Sequence, residues 1–389
     1  MSILAASTSL TRYRIVEDIP KELWAEVNER LHKFAFRDID ETADERSFGW
    51  VCFDNMLDEQ WKTAPPEKGA YLAFSLRIDT RRISAAVLKK HVQLAMEHQL
   101  ELMKDQGKKF LTRDQKAEIK EQVKLKLRAR TLPIPAYFNV IWDTDKQMVY
   151  LGNTTDKVKE LFEELFTKTF GLNLEPQTPF FKALNAMGPH RLQELETLEP
   201  TIFIEQDHPE LTMMDINLER ATEQGAHIGQ DFLTWLWATS EQQQGMFQTP
   251  SGESFSLLVE QRVAVQGGEG EGKETAVCSG PMAELREARA GLKTGKKVGQ
   301  AKLRIEHDEN TWQVQVNADN FALTGLKTPK VDTHVEEGDD PDSIFLEKMY
   351  LIEKCLEYLD AVFSLFLTRR MGPDWTDEVQ RIRTWIHSA

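Results

Sequence analysis

The sequence predicts an α+β protein: an antiparallel-sheet unit with an inserted basic helical pair, then a second α+β unit ending in a long amphipathic helix. Three observations predict it. Aromatic and β-branched runs at 48–53, 70–78, 133–143 and 148–151 are bounded by turn residues and read as strands. Between the second and third runs, residues 81–130 show helical periodicity instead. From about Pro176 the pattern changes again and closes on apolar residues at heptad spacing over 345–366.

The elements follow in order. Residues 13–16 form a short strand, and Pro20 opens a helix as a first-turn proline, with Leu23, Val27 and Leu31 on one line. The runs at 133–143 and 148–151 flank a short turn and make a hairpin. A helix over 156–170, with Val158, Leu161, Phe162, Leu165 and Phe166 on one face, ends on Gly171. Helices are expected at 180–195, 231–240 and 282–290, and strands at 255–265, 302–305 and 311–317. After the acidic run 336–340, with Asp340 as cap, the last long helix carries two apolar rows. Phe345, Ile352, Leu359 and Phe366 form one, and Met349, Leu356 and Phe363 the other. Such a seam suits a core helix or a contact between subunits, the latter made by Ile352, Leu356, Leu359 and Phe363. The domains drawn are 1–80 with 131–180, the insert 81–130, and 181–389.

Composition bounds the function. With 41% hydrophobic residues and nine Trp among 389, the chain is a folded globular protein. No run of eighteen apolar residues exists, so no membrane partner is expected, and the start lacks the charged and apolar regions of a signal peptide. Cys52, Cys278 and Cys355 have no metal-like spacing and suit a reducing cytosol. The net charge is −15, yet residues 81–130 hold fourteen Lys and Arg against six Asp and Glu, about +8 inside a remainder of about −23.

That insert divides into two helices. Val87, Leu88, Val92, Ala95, Met96, Leu102 and Met103 describe the first, ending near Gln106-Gly107. Thr112 and Gln115 form a capping box for the second, on which Ile119, Val123 and Leu127 align. Lys116, Lys120 and Lys124 stand at i, i+4 spacing, a like-charge ladder that destabilises a helix by a few tenths of a kcal/mol per pair. A polyanion would relieve it, and nucleic acid is the commonest one. The stretch has one aromatic, Phe110, too few for single-strand stacking, so phosphate contact with duplex of any sequence is the expectation. Candidate DNA-binding residues are Lys104, Lys108, Lys109, Arg113, Lys116, Lys120, Lys124, Lys126, Arg128 and Arg130. A second cluster, Lys293, Lys296, Lys297, Lys302 and Arg304, is expected to line the same surface.

Chemistry is otherwise sparse. Residues 267–273 match a phosphate loop up to the lysine, but Glu274 replaces the magnesium-binding hydroxyl and Glu269 and Glu271 would repel a triphosphate. His208 lies near Glu205, Asp207 and Glu210 without ligand spacing, and Asp342, Glu347 and Lys348 lack the strand context of a nuclease site. No nucleophile constellation stands out. The expectation is a binder with no catalytic residues, metal or cofactor. The alternatives are a metal-dependent nuclease and an acidic protein-interaction scaffold.

Several segments in this order resemble the RdgC family of bacterial recombination-associated proteins. They are Gly49-Trp50-Val51, the strand 71–78, the lysine-rich pair through 111–123, and the return ending Ile141-Trp142-Asp143. Further on come 232–235, 244–247, 283–298 and the helix 345–366. The resemblance implies a non-enzymatic, sequence-independent duplex-DNA binder, a ring-shaped homodimer of horseshoe subunits with centre, tip (81–130) and base domains. It also implies a cytoplasmic, nucleoid-associated protein that limits access of the RecA recombinase to DNA. Twin subunits would meet at the tip and at the base. An aromatic that some members carry after the insert is absent here, where Thr131-Leu132-Pro133 stands, so Leu132 and Ile134 take its place as the expected contact. A Lys-Gln pair is replaced by Val277-Cys278, which moves the expected DNA contact to Lys293, Lys296 and Lys297. Residues 199–229, 267–278 and the tail after Arg370 exceed the compact members of the family.

Overall fold

A computed structural model describes residues 3–104, 110–204, 225–242, 244–267, 274–280, 285–331 and 342–388. The described residues form thirteen strands in one antiparallel sheet and ten α-helices, so the protein is α+β. The strands are β1 (Thr8–Ile15), β2 (Arg46–Cys52), β3 (Glu67–Lys68), β4 (Tyr71–Thr80), β5 (Ile134–Asp143), β6 (Met148–Leu151) and β7 (Leu174–Pro176). The second half adds β8 (Met246–Gln248), β9 (Ser254–Gly267), β10 (Glu274–Ser279), β11 (Lys297–His307), β12 (Asn310–Asn317) and β13 (Leu323–Lys327). Their order is β10-β9-β11-β12-β13-β1-β6-β5-β4-β2, with β3 on β4, β7 on β1 and β8 on β9.

Strand β1 joins the two halves. Thr8 and Leu10 pair with Leu326 and Leu323 of β13, and Thr11 to Arg14 pair with Leu151 to Met148 of β6.

Period-2 alternation then divides the N-terminal strands between two cores. Leu72, Phe74, Leu76, Val140, Trp142, Val149 and Leu151 face α1 (Lys21–Lys33) and α4 (Asp156–Phe170). There Trp50, Trp142, Phe162, Phe166 and Phe170 pack ring against ring. Ala73, Ile141 and Tyr150 face the opposite core, shared with the C-terminal half. Both faces being covered explains why β4 and β5 read as continuous apolar runs.

The second core is closed by α7 (Ala226–Gln242), α9 (Ser343–Arg370) and α10 (Trp375–His387). Helix α9 spans the junction. Phe345 meets Phe53 and Tyr71 at its start, Tyr358 meets Phe255 and Trp312 mid-length, and Phe363 and Phe366 meet Phe232 near its end.

Local differences from expectation have local causes. The helix expected over 180–195 is divided into α5 (Pro179–Met187) and α6 (Leu192–Glu196), because Gly188 adopts φ +89° and Pro189 has no N–H to continue the ladder. The helix expected at 282–290 is described as α8 (Arg286–Lys293), and Asp340 lies outside the described residues. Strands β3, β7, β8, β10 and β13 and helix α10 were not anticipated.

Candidate nucleic-acid interface

Strands β4 and β5 pair along their whole length, from Tyr71 with Asp143 to Thr80 with Ile134. The chain between them forms α2 (Ala85–Lys104) and α3 (Arg113–Arg128), which pack on each other. Helix α3 starts where the sequence says it should. The Thr112 hydroxyl accepts from the Gln115 amide at 3.3 Å, and the Gln115 side chain accepts from the Thr112 amide at 3.0 Å. No residue of α3 is fully buried, as befits a helix whose one apolar line meets a single partner.

Two arginines fix the feet of this pair to the loop before β2. Arg81, at the end of β4, is buried and donates to the backbone carbonyls of Ile39, Asp40, Thr42 and Asp44. Arg128, at the end of α3, pairs with Glu45. Both terminal nitrogens of this buried guanidinium are spent on carbonyls, which makes Arg81 a structural cation rather than one offered to a polyanion.

The remaining cations face outward. Arg113, Lys116, Lys120, Lys126 and Arg130 are exposed and Lys124 is half-buried. None of these six pairs with a carboxylate of a described residue, so the ladder keeps its charge. Lys89 and Lys90 on α2 are exposed as well. The reading from sequence did not single them out, although they lie in the same basic block. Lys104 ends α2, and Lys108 and Lys109 lie outside the described residues.

The second basic cluster sits elsewhere on the sheet. Lys293 is exposed in the last turn of α8, and Lys296, Lys297 and Lys302 are half-buried at and along β11. Arg304 pairs with Glu306 and Glu260. Six strand steps separate β11 from β4, roughly 29 Å at about 4.8 Å per step. The two clusters are thus carried by different strands of the sheet.

The expected subunit contacts divide. Leu132 and Ile134, where the chain re-enters the sheet, are 73% and 57% exposed. Ile352, Leu356, Leu359 and Phe363 are at most 6% exposed within a single chain. The heptad seam of α9 is thus intrachain core, and its expectation as a subunit contact is corrected. Heptad spacing records only that a helix buries a straight stripe. Here Phe232 and Phe321 of the same chain cover its Phe363 end.

Of the candidate chemical groups, Asp342 and Lys348 have structural partners, and Glu347 is exposed. The glycine-rich stretch joins β9 to β10, antiparallel neighbours paired at Gly267 and Glu274, whereas a phosphate loop must lead from a strand into a helix. Asp342 and Asp54 both hold the buried Lys68, at 2.5 and 2.9 Å. Lys348 is buried on the Ala5 carbonyl and the Thr328 hydroxyl, and burial lowers its pKa. Glu205, Asp207, His208 and Glu210 lie outside the described residues. Among the described residues no group of three His, Cys, Asp or Glu could hold a metal ion, and no helix is long and apolar enough to cross a membrane.

Residues 8–188 match the protein family described as "Putative exonuclease, RdgC". The match takes in β1 to β7 and the inserted helical pair, and it ends at the break between α5 and α6. No curated protein matches the chain.

Proposed function

Starting from an RdgC-family segment over residues 8–188, which fits a recombination-associated role, we propose that this protein binds double-stranded DNA without regard to sequence. In this reading the α2–α3 pair is an arm whose outward cations contact phosphates. Two copies close a ring around the duplex and limit the access of RecA to it, as a nucleoid-associated protein in the cytoplasm. The single observation that carries the reading is the ladder Arg113, Lys116, Lys120 and Lys124. It is solvent-facing and unpaired with any described carboxylate, in a chain of net charge −15.

The physical basis is counterion release. Each phosphate neutralised frees condensed ions, giving a slope of about −0.9 per contact in log K against log salt. Lysine ladders do this without reading bases, since phosphates carry no sequence information. The acidic remainder of the surface would repel a second duplex and leave the basic arm as the attractive path. Lys293, Lys296, Lys297 and Lys302, across the sheet from the arm, would serve as a second wall. Leu132 and Ile134 supply the exposed apolar contact for a second copy at the arm, and the α9 seam takes no part in it.

The test compares a linear and a covalently closed circular duplex of one sequence across a salt series, with the mass of the protein measured in parallel. A dimer whose salt-resistant fraction persists only on the circle supports encirclement, since a ring slides off open ends. Equal loss from both refutes the ring, and absence of binding to either refutes the DNA reading. Carrying "exonuclease" as the family description does, a magnesium-dependent loss of labelled duplex in the same tubes would favour the nuclease alternative.

A further inference from the structure

Lys116, Lys120 and Lys124 recur every four residues along α3, and the same step reaches Arg128 at its last turn. The four rungs differ in one respect. The three lysines pair with no carboxylate of a described residue, whereas Arg128 pairs with Glu45. The ladder is therefore open at its outer end and closed where the arm meets the body.

The closing carboxylate is held in place by the backbone. Glu45 is the last residue before β2, and its carbonyl accepts from the Arg81 amide at 2.9 Å. The buried Arg81 guanidinium donates to the carbonyls of Ile39, Asp40, Thr42 and Asp44, which fixes the loop 38–45 against the foot of the arm. The Glu45 side chain is 61% exposed and that of Arg128 only 16%. The carboxylate thus stands on the solvent side of the guanidinium, where a phosphate would approach. Around it the loop is densely acidic, with Asp38, Asp40, Glu41, Asp44 and Glu45 among eight residues. Helix stability does not call for this arrangement. A carboxylate at a helix C-terminus opposes the macrodipole, and an ion pair with one exposed partner adds little.

We propose that Glu45 is an autoinhibitory group: it occupies Arg128 in place of a DNA phosphate, and a duplex must displace it to use the fourth rung. The proposal rests on the reading of the arm as a DNA contact and adds to it a built-in limit on affinity. Carboxylate and phosphate are alternative acceptors for the same guanidinium fork, so one excludes the other. The remaining carboxylates of the loop repel the strand as it nears the body, which keeps the inner rung the last to be engaged.

Four proteins are titrated by anisotropy with one labelled duplex across a salt series: the unmodified protein, Glu45→Gln, Glu41→Gln, and Glu45→Gln combined with Arg128→Gln. Glu41 is exposed in the same loop, so its replacement removes the same charge without freeing a guanidinium. One further phosphate contact steepens the salt slope by about 0.9, which is about eight-fold tighter binding at about 0.1 M salt, and this is expected of Glu45→Gln alone. Glu41→Gln should gain less and keep the slope of the unmodified protein, and the double variant should return to that slope. Thermal unfolding of all four controls for structure. Equal gains from Glu41→Gln and Glu45→Gln would mark a plain effect of net charge and overturn the proposal. A gain kept in the double variant, or no gain from Glu45→Gln, overturns it as well, and each of these outcomes leaves the DNA reading standing. Absence of binding by both the unmodified protein and Glu45→Gln refutes the two together.

Discussion

Replacing Lys116, Lys120 and Lys124 together by Glu perturbs the proposed interface most directly. All three lie on α3, two exposed and one half-buried, and no side chain of the three pairs with a carboxylate of a described residue. Losing three phosphate contacts lowers the salt slope by about 2.7, which corresponds to roughly 500-fold weaker binding at about 0.1 M salt and about 80-fold at about 0.2 M. Charge reversal adds repulsion to that loss. The fold is not the weak point, since three glutamates exchange one like-charge ladder at i, i+4 for another, and each such pair weighs only a few tenths of a kcal/mol on the helix. Anisotropy titrations of two unrelated duplexes across the salt series read both affinity and slope, and thermal unfolding controls for structure. An unchanged slope would refute phosphate contact by this face, and a loss confined to one of the two sequences would refute sequence independence.

Four further outcomes are expected. Leu359→Ala should lower unfolding free energy by about 2–5 kcal/mol, as a core truncation does. Leu132→Asp and Ile134→Asp should leave stability nearly unchanged but reduce the mass in sedimentation; an unchanged mass would refute a subunit contact at these two residues. Thr112→Ala should weaken the start of α3 by about 1 kcal/mol, read as faster amide exchange in its first turn, whereas uniform exchange across the helix would mean that the cap is irrelevant. Lys182 gives a pH signature. It lies beside Arg12 and pairs with Asp360 at 2.7 Å, and burial, with Arg12 adding to it, lowers its pKa to about 8. Between about pH 8 and 10.5 the unfolded chain holds the extra proton, so stability should rise with pH by an amount on the order of 3 kcal/mol. Below pH 8 the whole penalty is present. Urea midpoints for the protein and for Lys182→Met, taken from pH 7 to 10.5, isolate this contribution, and parallel curves would disprove it.

What could be read from the residues was local. The Thr112–Gln115 box, the Gly171 end of α4 at φ +72° and the alternation of β12 are set by near neighbours, and each stands where the pattern placed it. The unpaired ladder on α3 was legible for the same reason. Long-range partners were not. Nothing near Arg81 distinguishes it from Arg113, yet one is buried on carbonyls forty residues away and the other faces water. The α9 rows look alike whether covered by Phe232 or by another subunit, because periodicity fixes a stripe and not its occupant. Strand β13 escaped notice because Gly325, at φ +61°, interrupts a run of only five residues. Gly49 was quoted only as part of a motif. Its physical reason is contact: a Cβ there would lie 2.5 Å from the backbone of Phe36, whose amide donates to the Trp50 carbonyl while the Trp50 amide donates to the Phe34 carbonyl. Gly49→Ala should therefore shift the strand that precedes the Arg81 loop and cost about 1–3 kcal/mol in chemical denaturation; a neutral result would show that the segment yields.

The pairing of β1 with β13 has a consequence for how the molecule is made. Leu323 and Leu326, the partners of β1 on one side, leave the ribosome more than three hundred residues after it. At about 5–20 residues per second, synthesis leaves that edge waiting for roughly 15 to 60 s. During this interval Leu10, Ile141 and Tyr150 have no second half to cover them. The nascent N-terminal half is thus a natural client for chaperones, and a fragment ending near residue 188 should be prone to aggregate although its own aromatic core is complete.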